Sequence, residues 1–356
     1  MALTRRKKIL FALTAITIAA VGSVLLLLIA DLVLHQRAER SAGLNRYGYR
    51  GPVVGKKQPG ELRVAMVGGS TVFGYGVRWE ESIPAYLETE LKHRLNGPVR
   101  VLNLGFNNEG VYAAVPNLED FSYLDYDVIV LYQGYNDLSG DQGVNRSIYR
   151  RDSAVYRLTG YYPILPLYLQ EKAMTLRSKN VNAAYEQLGR EGQAGAVVFR
   201  PGLAQRTSAA TLDAIAAMTR ALDGQFEKSG YADPPTAESA STVGCKFPFV
   251  TYCESLAAAV RFGLLRGKGV VVAAQPQIGG RTQQMHKLQH DSTAAMMSRE
   301  FDGDRRVVWA DLSTLLDLAS ADVTFDGMHL KPDANRVVAQ AMVERVIAVM
   351  PTINAR

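Results

Sequence analysis

The chain has 356 residues, 47% of them hydrophobic and 21% charged, a balance that supports a full core and excludes a disordered protein. Its net charge of +6 is uneven: residues 1–40 hold six Lys/Arg against two acids, so four of the six excess charges lie there. The rest shows no basic stripe interleaved with aromatics, so nucleic acid is not an expected partner.

From the N-terminus, Arg5-Arg6-Lys7-Lys8 precede Ile9 to Ala30, a run of 22 residues without a charge, Pro, Asn or Gln. As a helix it spans about 33 Å, enough for a ~30 Å hydrocarbon core. The basic cluster holds that end in the cytoplasm and sends the bulk across. The expected organisation is a cytoplasmic basic tail (1–8), a transmembrane signal anchor (9–32), a linker (33–60) and one domain (61–350), in which 139–250 is an insertion or lid. A cleaved signal peptide is the alternative, although its apolar region is usually shorter and ends in a small-residue site that is not evident here.

From residue 61 a βα rhythm begins. Strands are expected at Leu62–Val67, Val99–Leu104, Asp127–Tyr132, Gly269–Ala274 and Val307–Leu312, and helices at Glu80–Leu95, Val111–Leu124 and Pro332–Met350, the last with Val338, Met342, Val346 and Val349 on one stripe. Five apolar strands alternating with helices predict an α/β fold: a three-layer α/β/α, doubly wound, flavodoxin-like arrangement around a five-stranded parallel sheet. Right-handed crossovers place all the strand C-termini, and so the ligand site, at one edge. The insertion suggests helices at Thr207–Lys228 and Val181–Gly189. Its aromatic, Pro-containing stretch Tyr161–Leu169 reads as a loop packed on the core, a substrate lid or a lipid-touching patch. Cys245 and Cys253 are the only cysteines; a disulfide beyond the membrane and two free thiols both fit.

Four short blocks fall at the expected edge: Gly68-Gly69-Ser70-Thr71, Asn103-Leu104-Gly105, Gly134-Tyr135-Asn136-Asp137 and Asp326-Gly327-Met328-His329. Each alone reads as a turn or a cap. Together they supply the parts of nucleophilic acyl chemistry. Ser70 is a weak nucleophile until a base takes its proton, His329 can be that base, and Asp326 is close enough to fix the imidazole tautomer. The Ser70 and Gly105 amides and the Asn136 side chain are candidate donors to a developing oxyanion. Phe73, Tyr75, Tyr132 and Tyr135 are candidates for the mouth, with about half expected simply to pack. His286 and His290, one helical turn apart, lack the Glu of a zinc protease and read as a solvated helix face. No metal site is expected.

With those residues in view, the chain resembles the SGNH hydrolases (GDSL-type esterases and lipases), whose four marks match Ser70, Gly105, Asn136 and His329. The likeness covers about 61–138 and 254–350. The stretch Asn45-Arg46-Tyr47-Gly48-Tyr49-Arg50-Gly51-Pro52 is similar to one in membrane-tethered bacterial members. Gly69 departs from the family name, which has Asp there. The resemblance implies hydrolysis of esters, thioesters or O-acetyl groups by a Ser70–His329–Asp326 triad through an acyl-serine, with no metal or cofactor. It implies an ester-bearing small molecule, lipid or glycan as partner, and a single-pass bacterial inner-membrane protein facing the periplasm. An O-acyltransferase acting on an envelope polysaccharide or lipid, and a non-enzymatic scaffold that keeps the fold, are the alternatives. No residues are assigned to substrate binding.

Overall fold

The structure is a computed structural model describing residues 4–41, 43–178, 245, 247–279 and 282–350. In chain order the helices and strands are α1 (Arg5–Ser41), β1 (Leu62–Gly68), α2 (Ser70–Phe73), α3 (Ile83–Leu95), β2 (Val99–Asn103), α4 (Ala114–Asp120), β3 (Val128–Tyr132), α5 (Ala154–Thr159), α6 (Leu165–Ser178), α7 (Val250–Leu265), β4 (Gly269–Ala273), α8 (Gln283–Phe301), β5 (Val307–Ala310) and α9 (Pro332–Ala348). The chain divides into two compact units, Met1–Ala38 with Ser153–Ala232, and Glu39–Asp152 with Asp233–Arg356.

The second unit holds the sheet. Its order is β2-β1-β3-β4-β5, every neighbouring pair parallel, as the sequence pattern predicts. The three inner strands, β1, β3 and β4, are buried along their whole length, whereas the edge strands β2 and β5 are only partly covered. Continuous apolar runs therefore sit where helices cover both faces. On one face Val64, Met66, Val128, Val130 and Val271 share a core with Leu87 and Leu91 of α3 and with Val338, Met342 and Val346 of α9. The other face packs against α4 and α7. There α7 approaches so closely at Gly263 that an added Cβ would lie 2.7 Å from Val270 and 2.9 Å from Ile129. In register, Met66 is level with Asn103 and Gly68 with Tyr132. The loops leaving β1, β2 and β3 thus start side by side.

Several elements differ from expectation. The helix expected from Glu80 starts at Ile83, after a 3-10 turn at Trp79–Glu81 and with Pro84 in its first turn, where no N–H is needed. The helix expected over Val111–Leu124 is broken into a 3-10 turn, α4 and a second 3-10 turn. Pro116 offers no N–H to extend the first turn, and Asp125 at φ 50° ends the last. Helix α7 was not anticipated. Its first amides, Val250 and Thr251, donate to the Asp141 carboxylate at 3.0 and 2.8 Å, a cap supplied from 109 residues earlier in the chain. Cys245 and Cys253 form a disulfide, their Cα atoms 6.1 Å apart.

The expected linker 33–60 is not a plain linker. Helix α1 continues to Ser41. From 43 the chain folds back as a tight loop in which Asn45, Tyr49 and Arg50 are buried and Arg50 pairs with Asn103 by a β-bridge. Polar residues there carry internal bonds: Asn45 Nδ2 donates to the Gly51 carbonyl at 3.0 Å.

In the first unit α1 is the one helix among the described residues long and apolar enough to cross a membrane, and its apolar window is unburied; a signal sequence passes the same test. At its far end Asp31 and His35 are buried. Asp31 accepts the Tyr161 hydroxyl and the amides of Ile164 and Leu165, while His35 Nε2 donates to the Tyr162 carbonyl at 2.7 Å. The aromatic stretch is therefore packed at Tyr162, Ile164 and Leu165, and α6 begins within it. The helices expected at Thr207–Lys228 and Val181–Gly189 lie outside the described residues.

Candidate active site

Strand β1 ends at Gly68, and Ser70 is the first residue of the one-turn helix α2. Gly69 is required at this bend by space rather than by φ, since an added Cβ would lie 2.3 Å from Asn136 Nδ2 and 3.0 Å from the Glu109 carbonyl. Glycine at this position thus lets the Asn136 amide sit directly against the turn that carries Ser70. Gly74 closes α2 in the left-handed conformation. At the other end, the Ser70 N–H is a first-turn donor with no partner inside the helix.

The loop before α9 is built by one aspartate. Gly327 takes φ 86°, which an L side chain rarely adopts. Asp326 Oδ1 accepts the Met328 and His329 amides at 3.1 and 2.8 Å, leaving Oδ2 to face His329 Nδ1 at 2.7 Å. The same carboxylate folds the turn and aims the ring. A bridge between Thr324 and Leu330 closes the loop. Both oxygens of Asp326 are acceptors, so Nδ1 carries the proton and Nε2 is the acceptor toward Ser70 Oγ, 2.8 Å away. Burial alone raises the Asp326 pKa, but hydrogen bonds from the His329 amide and ring outweigh it and hold the carboxyl below the usual carboxylate range. Ser70 is 8% exposed, whereas the Asp326 side chain is half-exposed. The carboxylate end of this hydrogen-bonded series therefore faces water while the Ser70 hydroxyl is covered.

Asn136 follows β3 in a 3-10 turn, and its Nδ2 donates to the Glu109 carbonyl at 2.8 Å, which uses one of its two protons. Gly105 is crowded against α2: an added Cβ would meet the Phe73 amide nitrogen at 2.5 Å. Its N–H donates to Asn103 Oδ1 at 3.1 Å, so an incoming anion must share or displace that acceptor. The sequence reading missed this bond. Asn103 also binds the Val72 carbonyl through Nδ2 at 2.9 Å, tying the end of β2 to α2.

Other contributors carry no local signature. Gln275, just past β4, donates to Thr71 Oγ1 and accepts the Tyr135 amide, both at 2.9 Å, linking α2 to the Asn136 turn. Gln289 of α8 donates to the Gly134 carbonyl at 3.0 Å. Arg50 donates to the carbonyl of Phe73, which ends α2, and to those of Gly74 and Val77 just after it. The only available signal was polarity at positions that periodicity marks as buried. Of the four candidate mouth aromatics, Tyr75 lies 4.8 Å from the His329 ring, centroid to centroid, and is half-exposed; Tyr132 and Tyr135 are buried; and Phe73 packs edge-on against Phe106. His286 corrects the expectation of a solvated face. It is buried, and its Nδ1 accepts the Ile278 amide at 3.0 Å. Burial, helped by His290, lowers its pKa from 6.5 to about 4. Asp137 is also buried, accepting the Val111 amide at 3.0 Å, and burial pushes its carboxyl up to about 7.

No family model and no curated protein matches the sequence. Among solved structures the chain is similar to a member of the lipolytic G-D-S-L family from Veillonella parvula DSM 2008 (12% identity over 80% of this chain and 97% of that one, TM-score 0.41). It is likewise similar to an acetyl xylan esterase from Geobacillus stearothermophilus (12%, 80% and 94%, 0.41). A third likeness is to a carbohydrate acetylesterase from Sinorhizobium meliloti (11%, 81% and 100%, 0.37).

Proposed function

We propose that this chain is a membrane-anchored serine ester hydrolase. The unbroken hydrogen-bonded series Asp326–His329–Ser70 carries the reading. His329 Nε2 takes the Ser70 proton as Oγ attacks the ester carbonyl. The negative charge that develops on the carbonyl oxygen meets the Ser70 N–H, the second Asn136 Nδ2 proton and the Gly105 N–H. His329 then delivers the proton to the leaving alcohol, and an acyl-Ser70 remains. Water, deprotonated by the same imidazole, releases the acid. Asp326 keeps the proton on Nδ1 and stabilises the imidazolium formed in each half-reaction.

Helix α1, which opens with Arg5–Lys8, acts as the anchor and directs the hydrolase to the far side of a bacterial inner membrane; the Cys245–Cys253 disulfide accords with an oxidising compartment. Ser70→Ala in the full chain abolishes turnover of a short-chain nitrophenyl ester, and a fluorophosphonate probe labels the parent at Ser70. Parental turnover in Ser70→Ala, or an unlabelled Ser70, overturns the assignment.

A further inference from the structure

Behind the proposed oxyanion donors lies a buried ionic cluster. Arg150 is fully buried, Glu109 is 1% exposed and Asn117 is fully buried. The guanidinium lies 3.6 Å from Glu109 Oε2. Its Nε donates to the Gly48 carbonyl at 2.7 Å and one terminal nitrogen to Asn117 Oδ1 at 2.7 Å; the other donates to the carbonyls of Leu104 and Gly105 at 2.8 and 3.2 Å. The plane is held between the rings of Phe106 and Phe121, 4.8 and 5.1 Å from their centroids. Asn117 Nδ2 returns a bond to Glu109 Oε2 at 2.7 Å, and Glu109 Oε1 accepts the Tyr149 amide at 3.0 Å.

Two of these bonds touch the site. The Leu104 carbonyl belongs to the same planar peptide as the Gly105 N–H. An arginine fixed on its oxygen fixes the direction of that N–H and draws electron density away from it. The second link runs through Glu109, whose carbonyl holds Asn136 Nδ2 and whose side chain is part of the cluster. Both donors outside α2 therefore hang from one buried pair. A pair this deep is a poor device for stability alone, because well-packed apolar residues often do as well. Its value lies in orientation: Arg presents a rigid fork that reaches three backbone carbonyls and an amide oxygen at once, which an ammonium cannot do.

We infer that Arg150 and Glu109 are positioning residues that preset the Gly105 and Asn136 donors where the carbonyl oxygen becomes negative. This rests on the hydrolase reading above. Preorganised donors of this kind act on the transition state rather than on the bound ester.

The test uses the full-length chain in detergent, with active serines counted by fluorophosphonate titration so that misfolded molecules drop out. For Arg150→Lys we expect kcat per titrated serine to fall about 10- to 100-fold with KM within about threefold. Affinity for an alkyl boronate, which forms an anionic tetrahedral adduct on Ser70, should fall by the same factor. If Arg150→Lys does not fold, Asn117→Ala keeps both ions but removes one acceptor of the guanidinium and one donor to Glu109; it should lower kcat and boronate affinity together, by less. A folded variant with parental kcat per serine, or with parental boronate affinity, overturns the proposal. A parent whose Ser70 does not titrate overturns the hydrolase reading itself, before any variant is compared.

Discussion

The two sides of the site are built in opposite ways. On one side Asp326 and His329 are three residues apart, the first half-exposed and the second partly covered, and one carboxylate makes both the turn and the contact to the imidazole. On the other, Gly105 and Asn136 are set by Asn103, Glu109, Asn117 and Arg150, all buried and drawn from three separate stretches of chain. A short motif can encode the first arrangement completely. The second needs the fold to be finished before it exists, and so it should fail through distant substitutions as well as near ones.

The largest expected effect breaks the local side. His329→Ala removes the base and should cost about 10⁴-fold or more in kcat for a nitrophenyl ester. Asp326→Asn should cost about 10³–10⁴-fold if the carboxylate fixes the tautomer; a loss under about tenfold would mean that the half-exposed acid serves the turn only. The hydrolysis rate should fall on acidification because a protonated imidazole cannot accept the Ser70 proton. Asp326, held below the ordinary carboxylate range, stays charged over that limb. On the opposite side, Gly69→Ala forces the Asn136 amide away from the nucleophile turn. It should cost about 10²–10³-fold in kcat, as expected for one lost oxyanion donor, with a lower melting temperature as the Asn136–Glu109 contact gives way.

Two smaller effects sharpen the contrast through stability. His286 in the folded chain has a pKa of about 4 against an ordinary 6.5. Above pH 6.5 neither state is protonated and stability is complete; as pH falls from 6.5 to about 4 the unfolded ring binds a proton that the folded one refuses. About 3 kcal/mol is lost over that window, and in His286→Gln the decline in denaturation midpoint should flatten. Asp137 works the other way. With its folded pKa raised to about 7, stability is greatest below the ordinary carboxylate pKa and is lost as pH rises toward 7. Asp137→Asn, which keeps an acceptor for Val111, should remove that slope in urea titrations across pH 4–7.

What the sequence disclosed follows the same division. The five strands were legible because apolar runs of five or so residues recur between helices; Ser70 and Asn136 stood out in short blocks just past a strand, and His329 in one on the loop before α9. The boundaries that moved, at Ile83 and within 111–124, moved where Pro84, Pro116 and a left-handed Asp125 govern single turns. Arg150 was illegible for a different reason. It lies in a stretch with no motif, and nothing in its neighbours announces that its side chain passes under Gly105. Gln275, Gln289 and Arg50 were missed likewise, since a polar residue gives no sign of which distant carbonyl it will meet. The buried His286 shows the reverse error: a histidine pair spaced for one exposed helix face has one member turned inward, where the Ile278 amide satisfies it.

Asp31 bears on how the chain matures. Its carboxylate satisfies the amides of Ile164 and Leu165, where α6 starts, so that helix draws its opening cap from the end of α1. A peptidase cutting beyond His35 would discard both groups and strand those amides in a buried setting, at a cost of roughly 1–3 kcal/mol for each one left bare. These contacts favour a helix that stays on the chain, and an intact-mass measurement on membrane-extracted material should find it still attached.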